Sequence, residues 1–294
     1  MIGLLSPYLA KLFSQYNQLF WLLDLVVHWQ WLFALGVLFG VLLLLKKDKR
    51  YGVLLAFLAM PFLSSSPSLA TGESTKILTV ASANVHVSTT DVTQLREWLT
   101  VQNPQVVIVL EVSNALGKQL PDLKEYPYQV IEADDSPFGI ALLSKLPILK
   151  SETINNLDGI AHIEADVDFS GKPVSVYAFH PMPPLNAHYH QSRDEQLSAL
   201  ATKINNRQLP AIIAGDFNAT PWSSAFRSLS SHNLKRVNLT PTWPNWGYKI
   251  IGIPIDHIVA SDQWRLSDSQ VGKAIGSDHF PVIAKLSLIE KDSP

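Results

Sequence analysis

The segment LPAIIAGDFN, residues 209–218, runs from a proline through four apolar residues and a glycine to Asp216 and Asn218. An unbroken apolar run that ends on polar residues is typical of a strand buried on both faces. Asp216 and Asn218 are two residues apart, so they project to the same side of an extended chain. The segment therefore predicts an α/β fold in which a rigid strand carries reactive side chains at its end.

Three further segments pair apolar runs with polar groups in the same way. They are 77–83 followed by Asn84, 106–110 followed by Glu111, and the motif GSDH that contains Asp278 and His279. Because buried strands can end at a common edge of a sheet, we expect these side chains to converge with Asp216. Oxygen ligands combined with a histidine suit a divalent metal that acts on a phosphate ester.

Apolar runs rich in β-branched residues alternate with helical patterns after residue 70. The predicted strands cover 77–83, 106–111, 127–132, 138–144, 160–168, 173–179, 209–215, 254–260 and 280–288. Helices are predicted after Asp91, over 197–204 and after Pro221. Several strands between 138 and 179 follow one another without helices, so we expect antiparallel pairs there and a mixed-sheet α/β sandwich.

Charge is unevenly distributed along the 294 residues. Residues 1–70 contain five basic and two acidic residues, out of totals of 23 and 25. Residues 71–294 therefore hold 18 basic and 23 acidic residues, a net charge of −5. A mildly acidic domain is poorly suited to non-specific attraction to nucleic acid. The chain has no cysteine, which excludes disulfides and thiol chemistry.

Residues 1–70 are predicted to form a membrane anchor. Residues 20–45 are strongly apolar, and their polar interruptions are Asp24, His28 and Gln30. Because about 20 apolar residues cross a bilayer, we expect a transmembrane helical hairpin with helices over about 20–45 and 51–66. The basic cluster KKDKR between them is expected in the cytoplasm. This topology puts residues 71–294 on the periplasmic or exterior face of the inner (plasma) membrane.

Two other interpretations of the N-terminal residues are considered. The cluster KKDKR, the next apolar run and Ser-Leu-Ala at 68–70 also resemble a signal peptide. Cleavage after Ala70 would release the domain on the same side of the membrane. A buried helical hairpin is disfavoured because the segment has no polar face to meet water. Serines and proline at 64–68 indicate a linker, which gives a membrane anchor over 1–70 and a catalytic domain over 71–294.

An ordered set of motifs resembles the endonuclease/exonuclease/phosphatase superfamily, which includes DNase I, abasic endonucleases, inositol polyphosphate 5-phosphatases and neutral sphingomyelinases. The set is Asn84, Glu111, His180, GDFN at 215–218, PIDH at 254–257 and GSDH at 276–279. The segment NATPWS at 218–223 is similar to the membrane-anchored bacterial branch of this superfamily. The resemblance implies a DNase I-like four-layer α/β sandwich of two mixed β-sheets flanked by helices, with the site at the sheet edges.

The resemblance also implies a magnesium or manganese cofactor. Glu111 matches the magnesium ligand, Asn84 would support the metal or its water, and Asp278 would complete the metal site or adjoin it. A carboxylate at the end of an apolar strand is costly without a partner, and this favours Glu111 as a ligand.

Further residues match the catalytic positions of the superfamily. Asp216 matches the residue that orients or deprotonates the attacking water, and Asn218 matches the one that holds a non-bridging phosphate oxygen. His180 and His279 match the phosphate-contacting histidines, and Asp256 would hydrogen-bond His279. Whether Asp216 or His279 is the general base stays open.

Substrate contacts are predicted for Arg193, Trp243 and Trp246. Nuclease branches carry an arginine just before the aspartate that Asp256 matches, whereas this chain has Ile-Pro-Ile at 253–255. We therefore favour a membrane-anchored phosphoesterase that acts on a lipid or another envelope phosphoester. A nuclease acting on extracellular nucleic acid is the alternative, and a non-catalytic binding module on the same fold is less favoured. No protein partner is indicated.

Overall fold

The computed structural model describes residues 1–12, 17–72, 74–156 and 158–289. The α-helices are α1 (Ser6–Leu12), α2 (Asn17–Val27), α3 (Gln30–Leu45), α4 (Met60–Ser64), α5 (Thr93–Gln102), α6 (Asn114–Gly117), α7 (Ala187–Arg207) and α8 (Ser224–Ser231). The 3₁₀ helices are Ile2–Leu5, Lys49–Ala59, Leu120–Asp122 and Asn245–Gly247. The strands are β1 (Ile77–Asn84), β2 (Val106–Leu110), β3 (Tyr128–Glu132), β4 (Ile140–Ser144), β5 (Ile148–Asn155), β6 (Ala161–Phe169), β7 (Lys172–Ala178), β8 (Ala211–Asp216), β9 (Lys235–Arg236), β10 (Asp256–Ala260), β11 (Trp264–Val271) and β12 (Val282–Leu288).

The strands form two six-stranded mixed sheets. The first has the order β11-β12-β1-β2-β4-β3, and the second has the order β5-β6-β7-β8-β10-β9. The pairs β1–β2 and β7–β8 are parallel, and the other pairs are antiparallel. These sheets, with helices beside them, confirm the predicted mixed-sheet α/β sandwich.

Alternation along the strands builds four layers. In β8, Ile212 and Ala214 belong to the core between the two sheets, whereas Ile213 packs against α7 and α8 on the outside. Helix α5 covers the outer face of the first sheet, where Leu95 and Trp98 pack against its strands. Because the central strands are buried on both faces, their sequences are apolar throughout rather than alternating.

The N-terminal helices differ from the predicted hairpin. Within the described ranges, no single helix is long and apolar enough to cross a membrane, although Gln18–Val27 and Gln30–Leu45, bent by 58°, pass this test as a pair. The prediction of one helix over 20–45 is wrong, because a turn at His28 and Trp29 interrupts the helix. The predicted second helix over 51–66 is largely a 3₁₀ helix, Lys49–Ala59, followed by α4.

The break between α2 and α3 follows from the polar interruptions. Asp24 is fully buried and accepts a hydrogen bond from the backbone N–H of Ser224 in the two-sheet domain, and the Nδ1 atom of His28 lies 2.9 Å from the Thr220 hydroxyl. Gln30 donates to the Gly3 carbonyl within the N-terminal segment itself. A buried polar group needs a partner, and the partners of Asp24 and His28 hold the end of α2 against the two-sheet domain.

Candidate active site

Three polar side chains project from the ends of strands into the same part of the space between the sheets. Ile212 and Ala214 face the inter-sheet core, so Asp216, the next residue of this parity in β8, points to the same side. Asp256 is the antiparallel partner of Asp216 in the sheet register. Asn84 ends β1, which belongs to the facing sheet. The two sheets therefore deliver carboxylates and an amide to one place.

Backbone conformation around the site is unusual at Gly215, Glu111 and Asn218. Gly215 has φ 153°, and a Cβ atom there would lie 1.9 Å from the carbonyl oxygen of Phe179. Glu111 and Asn218 adopt φ 59° and 48°. Non-glycine residues in this region are uncommon and tend to be held by surrounding contacts. The end of each strand is thus bent to present its polar side chain.

Asp216 is the centre of the cluster. Its Oδ2 atom lies 3.7 Å from the Nε2 atom of His180 and 3.8 Å from the Nδ1 atom of His279. The same oxygen lies 3.4 Å from the amide nitrogen of Asn84, which also donates to Glu111 at 2.8 Å. The backbone N–H of Asn218 donates to the other Asp216 oxygen at 2.9 Å. Residues from both sheets therefore meet around one buried carboxylate.

The pKa values of the two site histidines are shifted in opposite directions. Burial alone would lower the pKa of His279, but Asp256, which accepts a 2.8 Å hydrogen bond from its Nδ1, raises that pKa to about 10. Burial and the nearby charge of His279 lower the pKa of His180 to about 4. Burial and the negative charge of Asp256 raise the pKa of Asp216. At neutral pH, His279 is an imidazolium and His180 is neutral.

Asp278 lies at the rim of the cluster. Its side chain is half exposed and one oxygen is 4.0 Å from the Nε2 atom of His279. The indole N–H of Trp243 donates to its other oxygen at 2.9 Å. Trp243 lines the cavity over the site, whereas Trp246 is exposed and lies outside the residues that line it. Of the two predicted indole contacts, the structure brings only Trp243 to the site.

A cavity of about 790 Å³ lies over the cluster. Its polar lining residues include Glu111, His180, Asp216, Asn218 and His279. Its remaining walls are mostly apolar, and they include side chains from α2 and from the break that follows it. A volume of this order is typical of small-molecule sites in proteins. The polar cluster therefore shares its cavity with a largely apolar lining.

The placement of Arg193 corrects the prediction of a substrate contact. Its side chain is fully buried and pairs with Asp24 at 3.4 Å and with Asp194 at 2.8 Å. It also donates to the carbonyl oxygen of Asn218 at 2.7 Å. Arg193 thus supports the loop after Asp216 from behind. Sequence reasoning missed this use of Asp24, although Asp24 and His28, one helical turn apart in an apolar run, indicate a polar face.

The acidic groups fit a divalent cation. Glu111 and Asp216 both contact the side-chain amide of Asn84, and the negative charges of Asp256 and Glu111 contribute, after burial, to the raised pKa of Asp216. The buried Asp216, Asp256 and His279 also offer ligand atoms that all lie within 4.8 Å of one another. In that group, however, the closest contact is the Asp256–His279 hydrogen bond itself. Mg²⁺ prefers oxygen ligands, and this favours the side of the site formed by Glu111 and Asn84.

The fold is an α/β sandwich in which both sheets contribute to one buried cluster of carboxylates and histidines. A sequence profile of the Endonuclease/Exonuclease/phosphatase family matches residues 81–279. The chain belongs to this family, whose members are phosphoesterase hydrolases that typically use divalent metals. The matched range begins within β1 and ends at His279, so it contains the whole cluster around Asp216.

Solved structures share the fold at low sequence identity. The endonuclease/exonuclease/phosphatase from Beutenbergia cavernae has a TM-score of 0.62 at 18% identity, covering 72% of this chain and 72% of that chain. TDP2 of D. rerio, complexed with single strand DNA product, has a TM-score of 0.59 at 20% identity, covering 72% of this chain and 99% of that chain. The human Nocturnin catalytic domain, with bound sulfate anion, has a TM-score of 0.57 at 16% identity, covering 73% of this chain and 94% of that chain.

Curated relatives match over a shorter range. A UPF0294 protein of Vibrio cholerae is 31% identical over 102 residues, which is 34% of this chain and 35% of that protein. A UPF0294 protein of Vibrio parahaemolyticus is 31% identical over 98 residues, 32% of this chain and 33% of that protein. The match thus spans about a third of the length of these relatives.

Proposed function

We propose that the protein is a divalent-metal-dependent phosphoester hydrolase. The observation that carries the proposal is the buried cluster in which Asp216 lies between His180 and His279 in the lining of a cavity. A general base works best when its pKa is near the working pH, and the pKa of Asp216 is raised. His279 holds its proton through neutral pH. We therefore assign proton abstraction from the attacking water to Asp216.

The remaining polar groups suit a phosphate. The imidazolium of His279 would stabilise negative charge that develops in the transition state. The side chain of Asn218 and the neutral His180 would hold non-bridging oxygens through hydrogen bonds. Asp256 fixes the orientation and the charge of His279 through its hydrogen bond.

Glu111, Asn84 and Asp278 would hold a Mg²⁺ or Mn²⁺ ion beside this phosphate position. A bound divalent ion supplies charge neutralisation at a phosphoryl oxygen and lowers the pKa of a bound water. The carboxylate of Glu111 is fixed by the Asn84 amide and by the backbone N–H of Val87. Carboxylates that are oriented in advance in this way favour metal binding.

We also propose that residues 1–70 attach the protein to the inner (plasma) membrane and that the catalytic domain faces the periplasm or exterior. Large apolar side chains on the N-terminal segment are exposed, for example Phe39 (66%), Val53 (74%) and Leu63 (70%). Such a patch is unfavourable in water and typical of a membrane contact. The cluster KKDKR supports a cytoplasmic turn. A reporter active only outside the cytoplasm, fused after Pro294, should be active, and activity of a cytoplasm-only reporter would reject this topology.

The substrate proposed is a lipid or another envelope phosphoester. The support is the net charge of −5 over residues 71–294 together with the apolar walls of the cavity. The second candidate is extracellular nucleic acid, which is favoured by the similarity to TDP2 complexed with single strand DNA product. Binding of a long polyanion depends on several Lys or Arg contacts. Among the described residues that line the cavity, there is neither Lys nor Arg.

The test of catalysis uses bis-p-nitrophenyl phosphate with the purified full chain. We expect Mg²⁺-dependent release of p-nitrophenol that EDTA abolishes and that Asp216→Asn reduces at least about a hundredfold. Asp268→Asn is the matched control, because Asp268 is an exposed acidic residue on β11. Equal rates for the wild type, the EDTA-treated protein and Asp216→Asn would favour a non-catalytic binding module.

A further inference from the structure

The N-terminal segment forms one wall of the active-site cavity. Leu25 at the end of α2, together with His28 and Trp29 at the break, lines the same cavity as Asp216 and His279. These residues lie nearly 200 positions before the catalytic aspartate in sequence. Residues 1–70 and residues 71–294, which differ in composition, therefore both contribute side chains to the site.

Specific polar contacts hold this wall in place. The Asp24 carboxylate accepts a hydrogen bond from the backbone N–H of Ser224 at 2.9 Å and pairs with Arg193. The indole N–H of Trp21 donates to the carbonyl of Pro184 at 2.8 Å. Pro184 belongs to the loop between β7 and α7, which lines the cavity on another side. These contacts thus hold α2 in place and attach it to the loop between β7 and α7.

The cavity combines a polar cluster with apolar walls. The carboxylates and histidines already described share this cavity with the apolar side chains of Leu25, Trp29, Leu185 and Ile253. It is also lined by Phe138, whose ring centroid lies 5.7 Å from that of His180. A phosphate bound by His279 and Asn218 would leave its ester substituent facing these apolar side chains. Hydrocarbon gains free energy in such surroundings, whereas a sugar or a second phosphate loses hydration without gaining partners.

We propose that the wall formed by α2 and the following break is a subsite for the hydrocarbon part of an amphiphilic membrane phosphoester. The phosphate occupies the polar cluster, and the chain lies against Leu25 and Trp29. Helix α3 begins directly after Trp29 and carries exposed apolar side chains such as Phe39 and Leu42, and in the proposed arrangement a lipid would enter the subsite from this side. This inference rests on the proposed phosphoesterase activity.

The test varies only the tail of the substrate. Alkyl p-nitrophenyl phosphodiesters with chains from methyl to octyl share one reacting group, and each is assayed below its micelle concentration with the full chain in phosphatidylcholine nanodiscs. For the wild type, we expect kcat/KM to rise at least about tenfold from methyl to octyl, since a single methylene in an apolar pocket can change specificity by about tenfold. The variant Leu25→Gln should lose most of this increase.

Leu22→Gln is the matched control. Leu22 lies on the same helix, is 51% exposed and is absent from the cavity lining, so this variant should keep the chain-length dependence. A flat chain-length profile in the wild type, or equal profiles for the two variants, would overturn the subsite. Rapid nicking of plasmid DNA at physiological salt that Leu25→Gln leaves unchanged would also overturn it. Failure of the wild type to hydrolyse any ester, methyl included, would instead reject the proposed function.

Discussion

Replacing Asp24 with asparagine removes a negative charge from a fully buried cluster. The carboxylate contacts His190, Arg193 and the Ser224 N–H within 3.4 Å. Breaking a buried ion pair by removing one partner costs about 3–5 kcal/mol. Because Arg193 keeps a second partner in Asp194, we expect a loss near the lower end, about 3 kcal/mol. This is a large part of the about 5–15 kcal/mol that usually stabilises a domain.

Urea unfolding of the full chain in detergent, followed by tryptophan fluorescence, measures this loss. The midpoint for Asp24→Asn should fall while the slope of the transition stays unchanged. Asp48→Asn is the control, because Asp48 forms an exposed pair with Arg50, and pairs of that kind contribute little to stability. If the two variants had the same midpoint as the wild type, the cluster would not be what holds α2 to the catalytic domain.

Two further substitutions test the site and its supporting strand. In Asp256→Asn, His279 loses the partner that overcomes burial and raises its pKa to about 10. The imidazolium should then deprotonate at lower pH, so the basic limb of the kcat/KM profile against pH should shift to lower pH. An unshifted basic limb would refute the claim that Asp256 keeps His279 protonated. Gly215→Ala places a Cβ 1.9 Å from the Phe179 carbonyl oxygen and should abolish soluble expression, whereas Gly36→Ala meets nothing within 4 Å and should express normally.

The central strands and their polar ends could be predicted because their signal is local. A strand buried on both faces needs an unbroken apolar run, and the residue after the run is visible in the sequence. Asn84, Glu111 and Asp216 follow such runs, and the structure brings them together. Their catalytic and metal-binding roles stay predictions until activity is measured.

Three strands escaped prediction for a physical reason. They are β5 and β11, with the sequences ILKSETIN and WRLSDSQV, and the two-residue β9. All three lie at sheet edges, where side chains face solvent and charged residues discourage pairing with other chains. Their polar residues therefore hide the strand pattern that the buried strands display.

The docking of the N-terminal segment could not be predicted because its partners are remote in sequence. Asp24 and Arg193 are 169 positions apart, and neither residue has a local motif. A single aspartate in an apolar run predicts no more than an interruption of a membrane helix. Only the fold shows that it faces the catalytic domain and that its neighbour Leu25 lines the cavity.

Binding of Mn²⁺ to the full chain, measured by loss of the free-ion electron paramagnetic resonance signal, tests the metal-dependent centre most directly. We expect the wild type to bind Mn²⁺ with hydrolysis of bis-p-nitrophenyl phosphate rising in parallel in the same samples. Glu111→Gln should weaken binding at least about tenfold and shift the activity curve by the same factor. Two results would contradict the assignment of this cluster as the catalytic centre. One is a hydrolysis rate that reaches its maximum before any Mn²⁺ binds, and the other is a Mn²⁺ affinity of Glu111→Gln equal to that of the wild type.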